Sequence, residues 1–289
     1  MEAATQAWKT DSIGVWSAPV TFAVERERIA AYAEATNDTQ PAHAAGDLAP
    51  PVFAIVPAFE ALLPTLTAPV PQEILMRGVH GQQDFRYHQP IRPGVVLTSR
   101  AMCIGVTQRS TGAVVLGKAE TRDEAGELVV EQLMTYFVRG GEFGESVGDA
   151  LPEHAFPPAL AGTEPFASVA HGYDADTTLR YSKASGDPMP IHLDDAFAKQ
   201  MGLPGIIVHG LCTMAYTSRA VVGECCPEDP SRLKRLAVRF SSIVQPTETV
   251  TTALWRDGQS PEGHDRVVFE TTSSTGAVAI KDGLAEIAS

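Results

Sequence analysis

Residues 32–43 read YAEATNDTQPAH, and residues 181–192 read YSKASGDPMPIH. Tyr32 matches Tyr181, Ala35 matches Ala184, Asp38 matches Asp187, Pro41 matches Pro190 and His43 matches His192. Every pair is 149 residues apart in a chain of 289, so the repeat is about half the molecule. A period of that length is too long for a solenoid unit and fits two copies of one domain.

The segments downstream of the two copies run in parallel. In the first half a polar loop leads to APPVFAIVPAFEALL, which the apolar pattern predicts to be a helix. In the second, LDDAFAKQMGLPG leads to IIVHGLCTMAYTSRAVV, where Leu211, Met214, Ala215 and Ala220 fall close to helical spacing. Each half then turns to short β-rich runs separated by Gly and Asp turns. These are GVVLTSRAMCIGV, AVVLGKAETRD and ELVVEQLMTYFVR, then TVTTALWRDG, DRVVFETTSS and AVAIKDGLAEIA. One helix and an antiparallel meander, given twice, predict an α+β fold. Residues 140–165 are rich in Gly, Pro and acid without periodicity. The expected division is a first domain over 1–145, a linker over 146–164 and a second domain over 165–289.

Asp187 and His192 are a carboxylate and an imidazole five residues apart, with Pro188 and Pro190 between them. Two prolines forbid a regular helix, so this segment is a stiff loop able to aim both groups at one cavity. His209-Gly210 follows at the predicted start of a helix. A glycine there exposes a backbone N–H at the positive end of the helix dipole, suited to a developing oxyanion. An acid–base pair with an oxyanion donor suits proton exchange next to a carbonyl. Asp38 and His43 repeat the pair, but their downstream stretch opens on Pro50-Pro51 without a glycine. They are expected to be a second or vestigial pair. His209 is expected to be structural.

The formal charge of −13 argues against nucleic-acid binding through phosphate neutralisation. No apolar run approaches the ~20 residues of a membrane span. The N-terminal stretch lacks a basic region followed by an apolar one, so no signal peptide is read. Cys103, Cys212, Cys225 and Cys226 lack metal-site spacing and read as reduced cytoplasmic thiols. Arg232, Lys234 and Arg235 form a basic cluster. It fits either the phosphates of coenzyme A or a pantetheine arm, or a solvated strand edge.

The stretch from Tyr181 to Val221 resembles the hydratase 2 motif of MaoC-like dehydratases. The resemblance rests on Tyr181, Ser185, Gly186, Asp187, Pro190, Ile191 and His192, then on His209, Gly210, Leu211, Cys212 and Thr213. VRFSSIVQPTETVTTALWRDG is similar to the family's following strands, and QDFRYHQPIRPGVVL to its N-terminal half. The resemblance implies a tandem (double) hot-dog fold, each half a long helix wrapped by an antiparallel sheet. It implies reversible hydration of trans-2-enoyl thioesters to (R)-3-hydroxyacyl thioesters, in fatty acid metabolism, with no metal and no other cofactor. The substrate would be an acyl-CoA or acyl-carrier-protein thioester, and a homodimer is compatible. Asp187 and His192 would exchange the protons of the reacting water, Gly210 would bind the thioester oxygen, and the first half would bind the acyl chain. One position departs: the family's asparagine two residues after the aspartate is Met189 here, a thioether that is at best a weak acceptor. That departure leaves open a non-catalytic acyl-thioester binding protein, and the fold also hosts thioesterases.

Overall fold

Two runs of elements share one order. The first is β1 (Val20–Ala23), α1 (Arg26–Ala35), α2 (Pro41–Ala44), α3 (Phe59–Thr67), β2 (Gly78–Tyr87), β3 (Val96–Arg109), β4 (Gly112–Arg122) and β5 (Leu128–Arg139). After a short β6 (Val147–Gly148) comes the second. It is β7 (Ala167–Gly172), α4 (Thr177–Ser185), α5 (Asp195–Gln200), α6 (Gly210–Cys225), β8 (Leu233–Phe240), β9 (Thr249–Gln259), β10 (Asp265–Ser273) and β11 (Val278–Ile287). The computed structural model describes residues 7–150, 152 and 154–289. Residues 1–6, part of the N-terminal stretch in which no signal peptide is read, lie outside the described residues. No described helix is long and apolar enough to cross a membrane.

The strands form one sheet in the order β1-β3-β4-β5-β2-β8-β11-β10-β9-β7, with β6 beside β3. Each half thus contributes five strands in the same order, reflected about the antiparallel β2–β8 pair. In that pair Gln82 stands opposite Arg239 and Arg86 opposite Arg235. All six β-rich runs read from the sequence are strands. The five not among those runs are β1, β2, β6, β7 and β8, which are short or rich in charge and amide. β8 carries the basic cluster and is the middle of the sheet, so the reading of that cluster as a solvated edge is corrected. Arg235 is neutralised there: Nε and Nη2 donate to the two oxygens of Asp84 at 3.0 and 2.8 Å, and Nη1 to Glu286 at 3.3 Å.

The helices pack on one face of the sheet. In the second half α6 runs 16 residues without a proline, and most of its side chains are buried. The first-half counterpart departs from the predicted helix. Residues Pro51–Ala58 form a 3₁₀ stretch, and a regular helix begins only at Phe59. Pro57 has no N–H to donate and removes one rung of an α-helix there, although α3 itself accommodates Pro64. Helices α1 and α4 meet across the two halves. Tyr32 and Tyr181, matched positions of the repeat, face each other with hydroxyls 3.3 Å apart. The carbonyls of Glu34 and Lys183, also matched, each accept from an arginine of the other half: Arg180 at 2.8 Å and Arg28 at 3.1 Å.

The segment expected as a linker is laid against the sheet. Val147–Gly148 pairs with β3. Phe156 and Leu160 cover Ala237, Val268 and Leu284 on the outer face of the second half. Phe156 meets Trp255 edge to face at 5.0 Å, and the indole N–H donates to Thr163 at 3.0 Å. A few apolar residues in a Gly/Pro-rich composition suffice to dock it.

The side chains of Asp84 and Arg235 are 4% and 16% exposed, so their pairing has little solvent screening. Asp84→Ala leaves the buried guanidinium with Glu286 alone. Breaking a buried pair in this way costs about 3–5 kcal/mol. Urea unfolding of the variant should show a loss toward the lower end of that range. A loss below about 1 kcal/mol would mean that the junction does not depend on this pair.

Candidate active site

Helix α4 ends at Ser185, and Gly186 takes a left-handed conformation with φ of 82°. Glycine does so without a Cβ penalty. Asn37 does the same at the matched position of the first half, with φ of 51°. This turn delivers Asp187 into a loop whose Asp187 Oδ1 accepts the Met189 amide at 3.1 Å. A 3₁₀ turn over Pro190–His192 then carries the imidazole inward. The Met189 side chain is partly exposed, and what position 189 gives Asp187 is its backbone N–H.

His192 is 7% exposed. Its Nδ1 bonds the Ile207 carbonyl at 2.8 Å. A carbonyl only accepts, so Nδ1 carries the proton and Nε2 keeps a bare lone pair. His209 lies against it, the two rings stacked at 3.7 Å and 24°. The His209 Nε2–H donates to the Asp187 carbonyl at 3.2 Å, and its buried Nδ1 has no partner. One side-chain polar atom from each of Asp187, His192 and His209 falls within 4.8 Å of the others. His209, read as structural from sequence, therefore grips both members of the pair. The signal available in sequence was its adjacency to Gly210, which brings it to the same end of α6.

Burial sets the charge states. It pushes the Asp187 carboxyl above its usual range, against the pull of His192 and the Met189 amide. It pushes His192 down, against the Ile207 carbonyl and Asp187. Burial, reinforced by His192, holds His209 down at about 3. The three do not fit a metal ion. Ring lone pairs lie in the ring planes, and two nearly parallel planes 3.7 Å apart do not converge on an ion about 2 Å from each nitrogen.

Gly210 is the first residue of α6, with His209 before it. Its N–H is among those a helix leaves without an intrahelical acceptor. A Cβ at Gly210 would stand 3.3 Å from the Phe240 ring, so a side chain here would press that ring aside by a few tenths of an ångström.

The first-half pair is built differently. His43 Nδ1 bonds Asp38 Oδ2 directly at 2.8 Å, and Asp38 Oδ1 accepts the Gln40 amide at 3.0 Å. The Gln40 side chain caps the amides of Ala42 and His43, so α2 forms where the second half has a 3₁₀ turn. Asp38 and His43 thus bond each other directly, and the buried Nε2 of His43 is left without a partner. Asp187 and His192 make no mutual hydrogen bond, and each is held by backbone.

Fold and site define a double hot-dog protein with an Asp–His loop in each half, one bonded within itself and one open. The model of the MaoC like domain matches residues 159–278, and that of the FAS1-like dehydratase domain region matches residues 11–132. The 3-hydroxyacyl-thioester dehydratase Y of Mycobacterium tuberculosis is 34% identical over 218 residues, 72% of each chain. Peroxisomal multifunctional enzyme type 2 of Drosophila melanogaster is 31% identical over 184 residues, 62% of this chain and 30% of that protein. This chain therefore spans under a third of that larger relative. The crystal structure of a MaoC-like dehydratase from Phytophthora capsici superposes with a TM-score of 0.82 at 24% identity, covering 96% of this chain and 98% of that one. The chain belongs to the MaoC-like dehydratase family.

Side-chain nitrogen NMR reads the two imidazoles directly. At pH 5 an ordinary histidine is mostly charged, since its pKa is about 6.5. His209 should still be neutral, in the Nε2–H tautomer. An imidazolium at His209 at that pH would contradict the buried stack.

Proposed function

We infer that the chain hydrates trans-2-enoyl thioesters reversibly to (R)-3-hydroxyacyl thioesters at Asp187 and His192, with Gly210 as the oxyanion donor. The observation that carries this is the open pair. An ionised Asp187 and the bare Nε2 of His192 are both acceptors. A water between them donates one hydrogen to each and turns its lone pairs outward. Held so, its oxygen adds to C3 of the enoyl group while one of its protons goes to the pair. The pair returns a proton to C2. Negative charge gathers on the thioester oxygen during the addition, and an amide at a helix start meets it there. His209, stacked on one member and bonded to the backbone of the other, acts as a positioning residue.

The names of the relatives support this chemistry, among them an enoyl-CoA hydratase 2 of Dictyostelium discoideum and the dehydratase of M. tuberculosis. Met189 does not remove the pair, because the contact made at that position comes from the backbone. In this reading the first domain, 1–145, closes the acyl site and the second, 165–289, does the chemistry. The reading includes a cytoplasmic location and permits a homodimer.

The test is loss of enoyl absorbance on crotonyl-CoA and on a longer enoyl-CoA, with free thiol followed in parallel. Hydration consumes the enone without releasing thiol, whereas thiol release would favour a thioesterase. Unchanged absorbance and thiol would favour a binding protein. Asp187→Asn keeps size and hydrogen bonding and should lower the rate about 10²–10⁴-fold. The reacting forms are the carboxylate and the neutral imidazole, so activity falls as the pH drops. Burial raises Asp187 above 3.8, so the acid limb of kcat/KM should lie above that value. A limb at or below 3.8 would contradict the assignment.

A further inference from the structure

The far end of α6 borders a cavity that the acid–base chemistry does not use. Arg219 is nine residues on from Gly210, roughly 13.5 Å along the helix at 1.5 Å per residue. A cavity of about 340 Å³ opens there, between residues 38–41 of the first half and 218–224 of the second, with His171 of β7 on its wall. That volume lies within the range of small-molecule sites.

Arg219 is an unspent cation. One N–H donates to the Thr36 carbonyl at 3.1 Å, and the guanidinium stands 5.0 Å over the Tyr216 ring. Among the described residues no carboxylate forms an ion pair with it. Asp38 lines the same cavity, but its two oxygens are taken by His43 and by the Gln40 amide. Glu224 sits at the exposed rim. His171 has its Nδ1 buried without a hydrogen-bond partner and its ring edge on Tyr216. A partly desolvated cation and an unpaired buried ring nitrogen both carry a penalty that an oxygen ligand removes. Burial lowers Arg219 and, together with Arg219, holds His171 at about 4.

We propose that this cavity binds a small organic carboxylate, with its two oxygens on the free edge of the Arg219 guanidinium and its body against Val169, His171 and Ser218. A guanidinium offers two parallel N–H groups to such an anion. Phosphate presents the same oxygens, but a dianion would face Asp38 and Glu224 with twice the charge, so the monoanion is favoured. The site is separate from the acid–base pair and does not depend on the hydratase reading.

The experiment is calorimetric titration of the full chain at pH 7 with benzoate and, separately, with inorganic phosphate. Benzoate should bind saturably at one site and more tightly than phosphate. Arg219→Met should weaken it about 10-fold or more, the loss of a charge-assisted hydrogen bond. Asp187→Asn should leave it within about threefold, because additivity holds for sites this far apart. If Arg219→Met does not fold, Arg219→Lys carries the same comparison, since an ammonium keeps the charge and loses the fork. Four results would each overturn the proposal. They are no saturable benzoate binding, equal binding without the guanidinium, loss of binding in Asp187→Asn, or tighter binding of phosphate.

Discussion

Everything in this molecule hangs on the antiparallel pairing of β2 with β8. Those strands are the inner edges of two five-stranded units, and joining them makes one sheet from two copies of a fold. The same pairing sets the helices side by side, so that Tyr32 reaches Tyr181 and each repeat loop borders the other half. A strand junction rich in charge would be a poor place to bury backbone. The Asp84–Arg235–Glu286 cluster offsets part of that, while Arg86, opposite Arg235, keeps a buried Nε without a hydrogen-bond partner.

Once the halves are locked, identical residues need not do identical things. Asp38 and His43 share their spacing with Asp187 and His192, yet their hydrogen bonds differ. The deciding partner is the Ile207 carbonyl, which takes the His192 Nδ1 proton and leaves the imidazole without a bond to Asp187. No such carbonyl holds His43, and its Nδ1 turns to Asp38. The closed pair bonds within itself, with only His43 Nε2 left unpartnered. The open pair is a half-buried carboxylate and a buried imidazole, with a polar atom of each within 4.8 Å and no bond between them, an arrangement that a water or substrate completes.

Much of this was legible in the residues. The 149-residue repeat marks two halves, and β-rich runs between Gly and Asp turns mark six strands of the meander. The prolines at 188 and 190 marked the loop, and the glycine at 210 marked the start of α6. The rest depended on tertiary partners that no local pattern announces. β8 reads as a solvated edge because Lys234 and Arg235 lie in it, and only Asp84, from a strand about 150 residues away, makes it central. The first-half helix begins later than its strong apolar pattern predicts, with a 3₁₀ stretch over Pro51–Ala58 before it. The sequence predicts a structural role for His209, and the structure sets it against both Asp187 and His192. Its role rests on ring stacking and on a carbonyl bond, neither of which has a sequence signature.

The central claim is that one of two matched pairs works because it is open. The most direct measurement compares enoyl-CoA hydration by His192→Ala and His43→Ala, each at the same folded fraction. The account predicts that His192→Ala is close to inactive while His43→Ala retains substantial turnover. Equal losses of about half in each would show two independent working sites and contradict it.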